Sequence, residues 1–257
     1  MGEYTPVERH GKVWLKRDDL FEVAGAHGGK ARAAWALIGA CDPPPLGLVT
    51  AGSRYSPQVV YVARMAARLG LPCRAHVPAG ADTPELAMAR AAGAVLVPQR
   101  PGYNSVIVAR ARQDAEARRG WLHIPFGMEF AMDTAATAAQ VGNLPADLQR
   151  LVMVVGSGMS LSGVLQGLER REFRVPVLGV VVGADPTRRL DHYAPPFWRQ
   201  MVDLVPAGVP YQKTIAARVG GVLLDPHYEA KCAAFLRPED LLWVVGISPA
   251  HDGGNET

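Results

Sequence analysis

Lys30 stands in AGAHGGKARAAW, behind Gly25, Gly28 and Gly29 and ahead of an alanine-rich stretch. A lysine held at a helix start in uncharged surroundings has a lowered amine pKa, through desolvation and the positive end of the helix dipole. Such an amine is a nucleophile toward an aldehyde. The phosphate-loop pattern GxxxxGK followed by Ser or Thr fails, because Ala24 and Ala31 occupy its first and last positions. A solvated lysine after a loop is the other reading of this segment. Of 27 basic residues only Lys12, Lys16, Lys30, Lys213 and Lys231 are lysines. Arginine thus serves where surface charge is needed, and a lysine among glycines stands out.

Three further segments have the composition of a ligand site. In VVGSGMSLSG an apolar run ends in Gly156-Ser157-Gly158, and a helix is expected from Ser160. Small residues at a strand-to-helix turn let N–H groups and hydroxyls approach an anion, which the helix dipole favours. A dinucleotide fingerprint would need a third glycine at Leu161, so a single phosphate suits Gly156, Ser157, Gly158, Met159 and Ser160 better. A tight turn without a ligand is the alternative. TAGSRYSPQ (50–58) sets Ser53, Ser56 and Gln58 at another strand-to-helix junction, where Ser56 could equally be a plain N-cap. Tyr228 and Glu229 in DPHYE also fit a helix first turn that complements the dipole.

These segments need elements to hold them. Strands are expected at 46–52, 73–78, 94–98 and 121–125, with helices at 57–69, 83–93 and 103–120. Thr83 and Pro84 are the N-cap and first residue of the middle helix. A second series has helices at 131–141, 160–171 and 225–236 and strands at 151–156, 176–183 and 241–246. Apolar strands alternating with helices indicate parallel sheets covered on both faces, with ligands at the C-terminal strand ends. The expected fold is α/β with two domains, each an open, mostly parallel twisted sheet flanked by helices. The Pro43-Pro44-Pro45 run suggests a large domain of 1–45 and 127–257 with a small domain, 46–126, inserted.

Composition bounds the function. The chain has 257 residues, 49% hydrophobic and 20% charged, with a net charge of +3, as for an ordinary globular protein. No apolar run is long enough to span a membrane, the first residues carry no apolar leader, and Gly2 lacks a myristoylation context. Cys41, Cys73 and Cys232 form no CxxC pair, and the seven histidines have no metal-ligand spacing. The expectation is therefore no metal, a reducing cytoplasm and no membrane partner.

Taken in order, VWLKRDDLFEVAGAHGGKARAAWAL, TAGSRYSPQVVYVARMAARLGL, IPFGMEF, VVGSGMSLSG, LLDPHYEAKCAAFL and LLWVVGISPA resemble the fold-type II pyridoxal-phosphate enzymes, the tryptophan synthase β-like superfamily. The resemblance covers about residues 12–250 and is nearest to the branch of 1-aminocyclopropane-1-carboxylate deaminase and D-cysteine desulfhydrase. It implies pyridoxal 5'-phosphate as cofactor, held by Lys30 as an aldimine, with residues 156–160 around its phosphate and Glu229 facing the pyridine nitrogen. It implies Lys30, Ser56 and Tyr228 as catalytic groups and Ser53, Ser56 and Gln58 on the substrate side. The implied reaction is β-elimination with deamination, or β-replacement, on a small amino acid, in a homodimer.

Three positions depart from the family pattern. Gly29 and Pro57 stand where the family has Asn, and Val245 where it has Thr. Proline cannot supply the side-chain bond to the cofactor's phenolic oxygen that the resemblance assigns to position 57. Two alternatives follow. One is a catalytically inactive binding module. The other, suggested by a pI of 8.8 and arginine-rich helices, is an enzyme acting on an amino-acid group carried by a nucleotide or nucleic acid.

Overall fold

In the computed structural model, which describes residues 4–100 and 104–247, the chain forms two compact units. One takes residues 4–21 and 131–247, the other the described residues of 22–130. The first begins with a hairpin of β1 (Val7–His10) and β2 (Val13–Arg17).

The second unit opens on two short strands, β3 (Glu22–Val23) and β4 (Ala26–His27), which lead into α1 (Gly29–Gly39). Then come β5 (Gly47–Ala51), α2 (Pro57–Leu69), β6 (Cys73–Pro78), α3 (Pro84–Ala91), β7 (Ala94–Gln99), α4 (Asn104–Glu116) and β8 (Trp121–Ile124). The four longer strands make an all-parallel sheet in the order β7-β6-β5-β8, with Leu48 opposite both Cys73 and Leu122. Every residue of β5 is buried, as for a strand covered on both faces. Val49 and Ala51 pack against Ile107, Ala111 and Ala115 of α4. The helix starts follow local chemistry. Ser56 Oγ accepts from Gln58 N at 3.3 Å ahead of Pro57, and Thr83 Oγ1 accepts from Leu86 N ahead of Pro84. Beneath α4, Asp114 accepts from Arg74 Nε at 2.6 Å, lies 2.9 Å from His76 Nε2, and pairs with Arg118.

The chain returns to the first unit through α5 (Ala131–Ala139), β9 (Arg150–Val155), α6 (Met159–Arg170), β10 (Val177–Val181), α7 (Thr187–Tyr193), β11 (Val202–Pro206), a ladder of β12 (Arg218–Val219) and β13 (Val222–Leu223), and β14 (Asp240–Val244). Its six-stranded sheet has the order β1-β2-β14-β9-β10-β11, parallel except for the β1–β2 pair. The two-residue period of a strand splits each central strand between two cores. Leu151, Met153, Val155, Leu241 and Trp243 face one, and Val152, Val154, Leu242 and Val244 the other. On α6, Gly163 and Gly167 let α5 approach closely. A Cβ on Gly163 would lie 2.6 Å from Thr137 Cβ, and one on Gly167 would lie 2.5 Å from the Ala138 carbonyl.

Two expectations change. Residues 22–45 cluster with the β5–β8 sheet, so the division falls after Phe21 and Phe130 and not at the proline run. The buried face of α1 (Ala31, Ala33, Ala34 and Ile38) accounts for this, because α1 packs on α2 and β8. The α-helix expected over 225–236 is a turn followed by a 3-10 helix, Glu229–Phe235. The Asp225 carboxylate accepts from His227 N at 2.8 Å and Tyr228 N at 3.1 Å, and this local turn replaces the first helical bonds. Among the described residues no helix is long and apolar enough to cross a membrane, and no group of three or more His, Cys, Asp or Glu could hold a metal ion. Gly2, residue 103 and residues 248–250 of the closing motif lie outside the described residues.

Candidate active site

In the second unit, Lys30 is the second residue of α1 and half-buried. The N-cap, Gly28, has φ +88°, a conformation that favours glycine. The turn feeding this helix carries Ala24 and Gly25 at positive φ, and Arg64 Nη1 of α2 donates to the Gly25 carbonyl. Thus α2 holds the segment that presents Lys30.

Ser53 and Ser56 lie half-buried in the loop between β5 and α2, where Ser56 N donates to the Ser53 carbonyl at 3.1 Å. Gln58 is bonded within the protein. Its Nε2 donates to Thr50 Oγ1 and the Pro125 carbonyl, both at 2.9 Å, and its Oε1 accepts from Gly127 N at 2.9 Å. Both amide protons are used within the protein, so the side chain ties β5 to the turn after β8 and has no proton left for a substrate.

In the first unit, β9 runs into Gly156, Ser157 and Gly158, and α6 begins at Met159. Gly158 has φ +91° and no side chain with which to cap the helix. Ser157 Oγ accepts from Met159 N at 3.5 Å, and Ser162 N and Oγ both donate to the Gly158 carbonyl at 2.9 Å. The first-turn N–H groups of a 12-residue helix therefore lie beside two small residues and two hydroxyls, Ser157 and Ser160, an arrangement suited to a phosphate.

The turn at Asp225 brings Tyr228 onto this loop. A Cβ on Gly156 would lie 3.2 Å from Tyr228 Cε1. Tyr228 Oη donates to Tyr211 Oη at 3.2 Å, with ring centroids 5.4 Å apart. Burial, reinforced by Tyr211, pushes the Tyr228 phenol well above its usual pKa. Glu229 is buried, and its Oε1 accepts from Val245 N at 3.1 Å.

Tyr211 was not foreseen, and VPYQKT offers no motif that marks it. Its placement comes from Lys231. That buried lysine donates to the Pro210 carbonyl at 2.9 Å and the Tyr211 carbonyl at 3.1 Å, while His227 Nδ1 lies 3.2 Å from the same Tyr211 oxygen. Burial lowers the pKa of the Lys231 ammonium. Lys16 is the other buried lysine and donates to the Thr5 carbonyl and Asn143 Oδ1, both at 2.7 Å. Two of the five lysines are thus structural anchors.

Comparison with known proteins decides the family. The model of the pyridoxal-phosphate dependent enzymes matches residues 3–219. The chain belongs to this family. Solved structures agree on the fold. An ACC deaminase homologue superposes with TM-score 0.82 at 21% identity, covering 96% of this chain and 90% of that one. A fungal L-serine ammonia-lyase from Rhizomucor miehei gives 0.67 at 17%, covering 95% and 93%, and maize serine racemase 0.69 at 15%, covering 97% and 89%. No curated relative matches by sequence. The architecture is that of the fold-type II enzymes, and the cofactor is pyridoxal 5'-phosphate. The residues present fit it. The cradle at Gly156 and Gly158 that a Cβ would fill, with its serine hydroxyls and helix N–H groups, has the donor chemistry a phosphate monoester needs.

Proposed function

We propose that this enzyme acts at the α- and β-carbons of a small amino acid. The reaction is β-elimination, releasing a keto acid and ammonia, or β-replacement when a second nucleophile is present. When bound, the cofactor supplies an aldehyde that condenses with amines and a ring that takes up negative charge formed at Cα. Lys30 Nζ would hold the cofactor, and its amine would take the proton from the substrate Cα. Residues Gly156 to Ser160 hold the phosphate through α6 N–H groups and the Ser157 and Ser160 hydroxyls. The Glu229 carboxylate would face the ring nitrogen and hold a proton there through a charge-assisted bond. Tyr228 Oη, backed by Tyr211, moves a proton on the β-carbon side. Ser53 and Ser56, at the start of α2, receive the substrate α-carboxylate. Gln58 acts as a positioning residue for that loop.

The observation that carries this reading is the turn at Asp225. It sets a phenol of raised pKa against Gly156 and a buried carboxylate at the next position. The test is incubation with β-chloroalanine, cysteine and serine of both hands, scored for pyruvate, ammonia and exchange of the α-proton. Pyruvate from at least one supports the proposal. A racemase would exchange the α-proton without releasing pyruvate. Neither pyruvate nor exchange from any of them contradicts action on a small amino acid.

A further inference from the structure

Arg54 lies in the same β5–α2 loop as Ser53 and Ser56, and its side chain reaches the loop between β6 and α3. Its Nη1 donates to the Ala81 carbonyl at 2.9 Å, in the loop between β6 and α3. The guanidinium lies against Gly80, where a Cβ would come within 2.4 Å of Nη1 and 2.8 Å of Cζ. The Tyr55 ring is 5.7 Å away, and Thr83 Oγ1 donates to the Arg54 carbonyl. Backbone and side chain are thus both fixed, across two loops at the C-terminal edge of a parallel sheet, the edge where such sheets bind ligands.

A guanidinium has five N–H donors, and one carbonyl uses one of them. Among the described residues no carboxylate pairs with Arg54. The nearby Asp82 is engaged by both Nη atoms of Arg90, at 2.9 and 3.1 Å. A half-buried, pre-oriented cation with open donors suits an anion from outside the protein.

We propose that Arg54 receives a second anionic group of the substrate, so that the substrate class is an amino acid with a carboxylate or phosphate on its side chain. This rests on the function proposed above, in which Ser53 and Ser56 take the α-carboxylate.

The test is titration of cofactor-loaded protein with aspartate, O-phosphoserine, asparagine and serine of both hands, read from the cofactor's absorption band. The wild type should bind at least one anionic amino acid about tenfold or more tightly than its neutral counterpart. Arg54→Met should remove that preference and leave serine and asparagine within about twofold, and Arg54→Lys should restore part of it. Preference for aspartate or for O-phosphoserine assigns the group as carboxylate or phosphate, and either supports the proposal. Equal affinity for anionic and neutral ligands in the wild type overturns it. Equal weakening of every ligand in Arg54→Met also overturns it and moves Arg54 to the α-carboxylate. If Arg54→Met fails to fold, the wild-type preference and its partial loss in Arg54→Lys decide. No spectral response to any amino acid, with cofactor bound, overturns the underlying function as well. A response to neutral ligands without preference overturns the role of Arg54 alone.

Discussion

The hydroxyl of Tyr228 donates to that of Tyr211 across 3.2 Å, and the two phenols lie 17 residues apart in sequence. A phenol bonded to a second phenol can pass a proton while staying in place. Tyr228→Phe and Tyr211→Phe should each lower kcat by about a hundredfold. The double variant should be no worse than the poorer single one within about threefold, because groups acting as a unit are not additive. Steady-state kinetics of the three variants checks this; multiplicative losses would separate the two residues. Since burial raises the Tyr228 phenol, its deprotonation should cause no loss of rate up to about pH 10, the usual tyrosine value.

Lys231 anchors the Tyr211 segment through two carbonyls. Lys231→Met should destabilise the fold by about 1–3 kcal/mol, since each carbonyl loses a charged donor. It should also lower kcat in the same sense as Tyr211→Phe while cofactor remains bound. Thermal unfolding and an absorption spectrum, taken with the kinetics, check both parts. Unchanged kcat in a cofactor-loaded variant would show that the loop needs no such anchor.

Much of this arrangement was legible from residue types, because strand, turn and helix signals agree locally. Pro57 behind Ser56 and Pro84 behind Thr83 mark the starts of α2 and α3, and the apolar run at 151–155 marks a strand with two covered faces. The 225–236 segment misled because its composition is helical, whereas Asp225 offers its carboxylate to the N–H groups that would open a helix. The bonds of the Gln58 amide to Thr50, Pro125 and Gly127 are contacts that sequence spacing cannot display. Tyr211 reaches the site through the anchoring by Lys231 and His227, which only the tertiary structure shows.

Asp114 gives the small sheet a pH dependence. Burial acts to raise its pKa, but the bonds from Arg74 and His76, with Arg118 nearby, outweigh that and hold it below the usual carboxylate value. The folded state therefore gains stability from the ionised form above the unfolded pKa, about 3.9, and loses it as pH falls through the lower folded value. Asp114→Asn should be less stable than wild type at pH 7 by about 1–3 kcal/mol, and the gap should narrow in acid. Denaturant unfolding at pH 7 and pH 3 checks the sign. A gap that widens in acid would contradict it.

Gly163 faces α5 with no room for a methyl group. Gly163→Ala should cost about 1–3 kcal/mol, because Thr137 Cβ and the Thr134 carbonyl lie 2.6 and 2.8 Å from the added carbon. The gain in helix propensity, about 1 kcal/mol, is too small to offset the clash. A melting temperature equal to or above wild type would mean that the helices separate without cost.

Borohydride reduction of the purified, cofactor-loaded protein, followed by peptide mass mapping, tests whether Lys30 holds the cofactor. One pyridoxyl-phosphate adduct is expected, on Lys30, and none in Lys30→Ala. An adduct on Lys12, Lys16, Lys213 or Lys231 in the wild type, or no adduct at all in a protein saturated with pyridoxal 5'-phosphate, would contradict it.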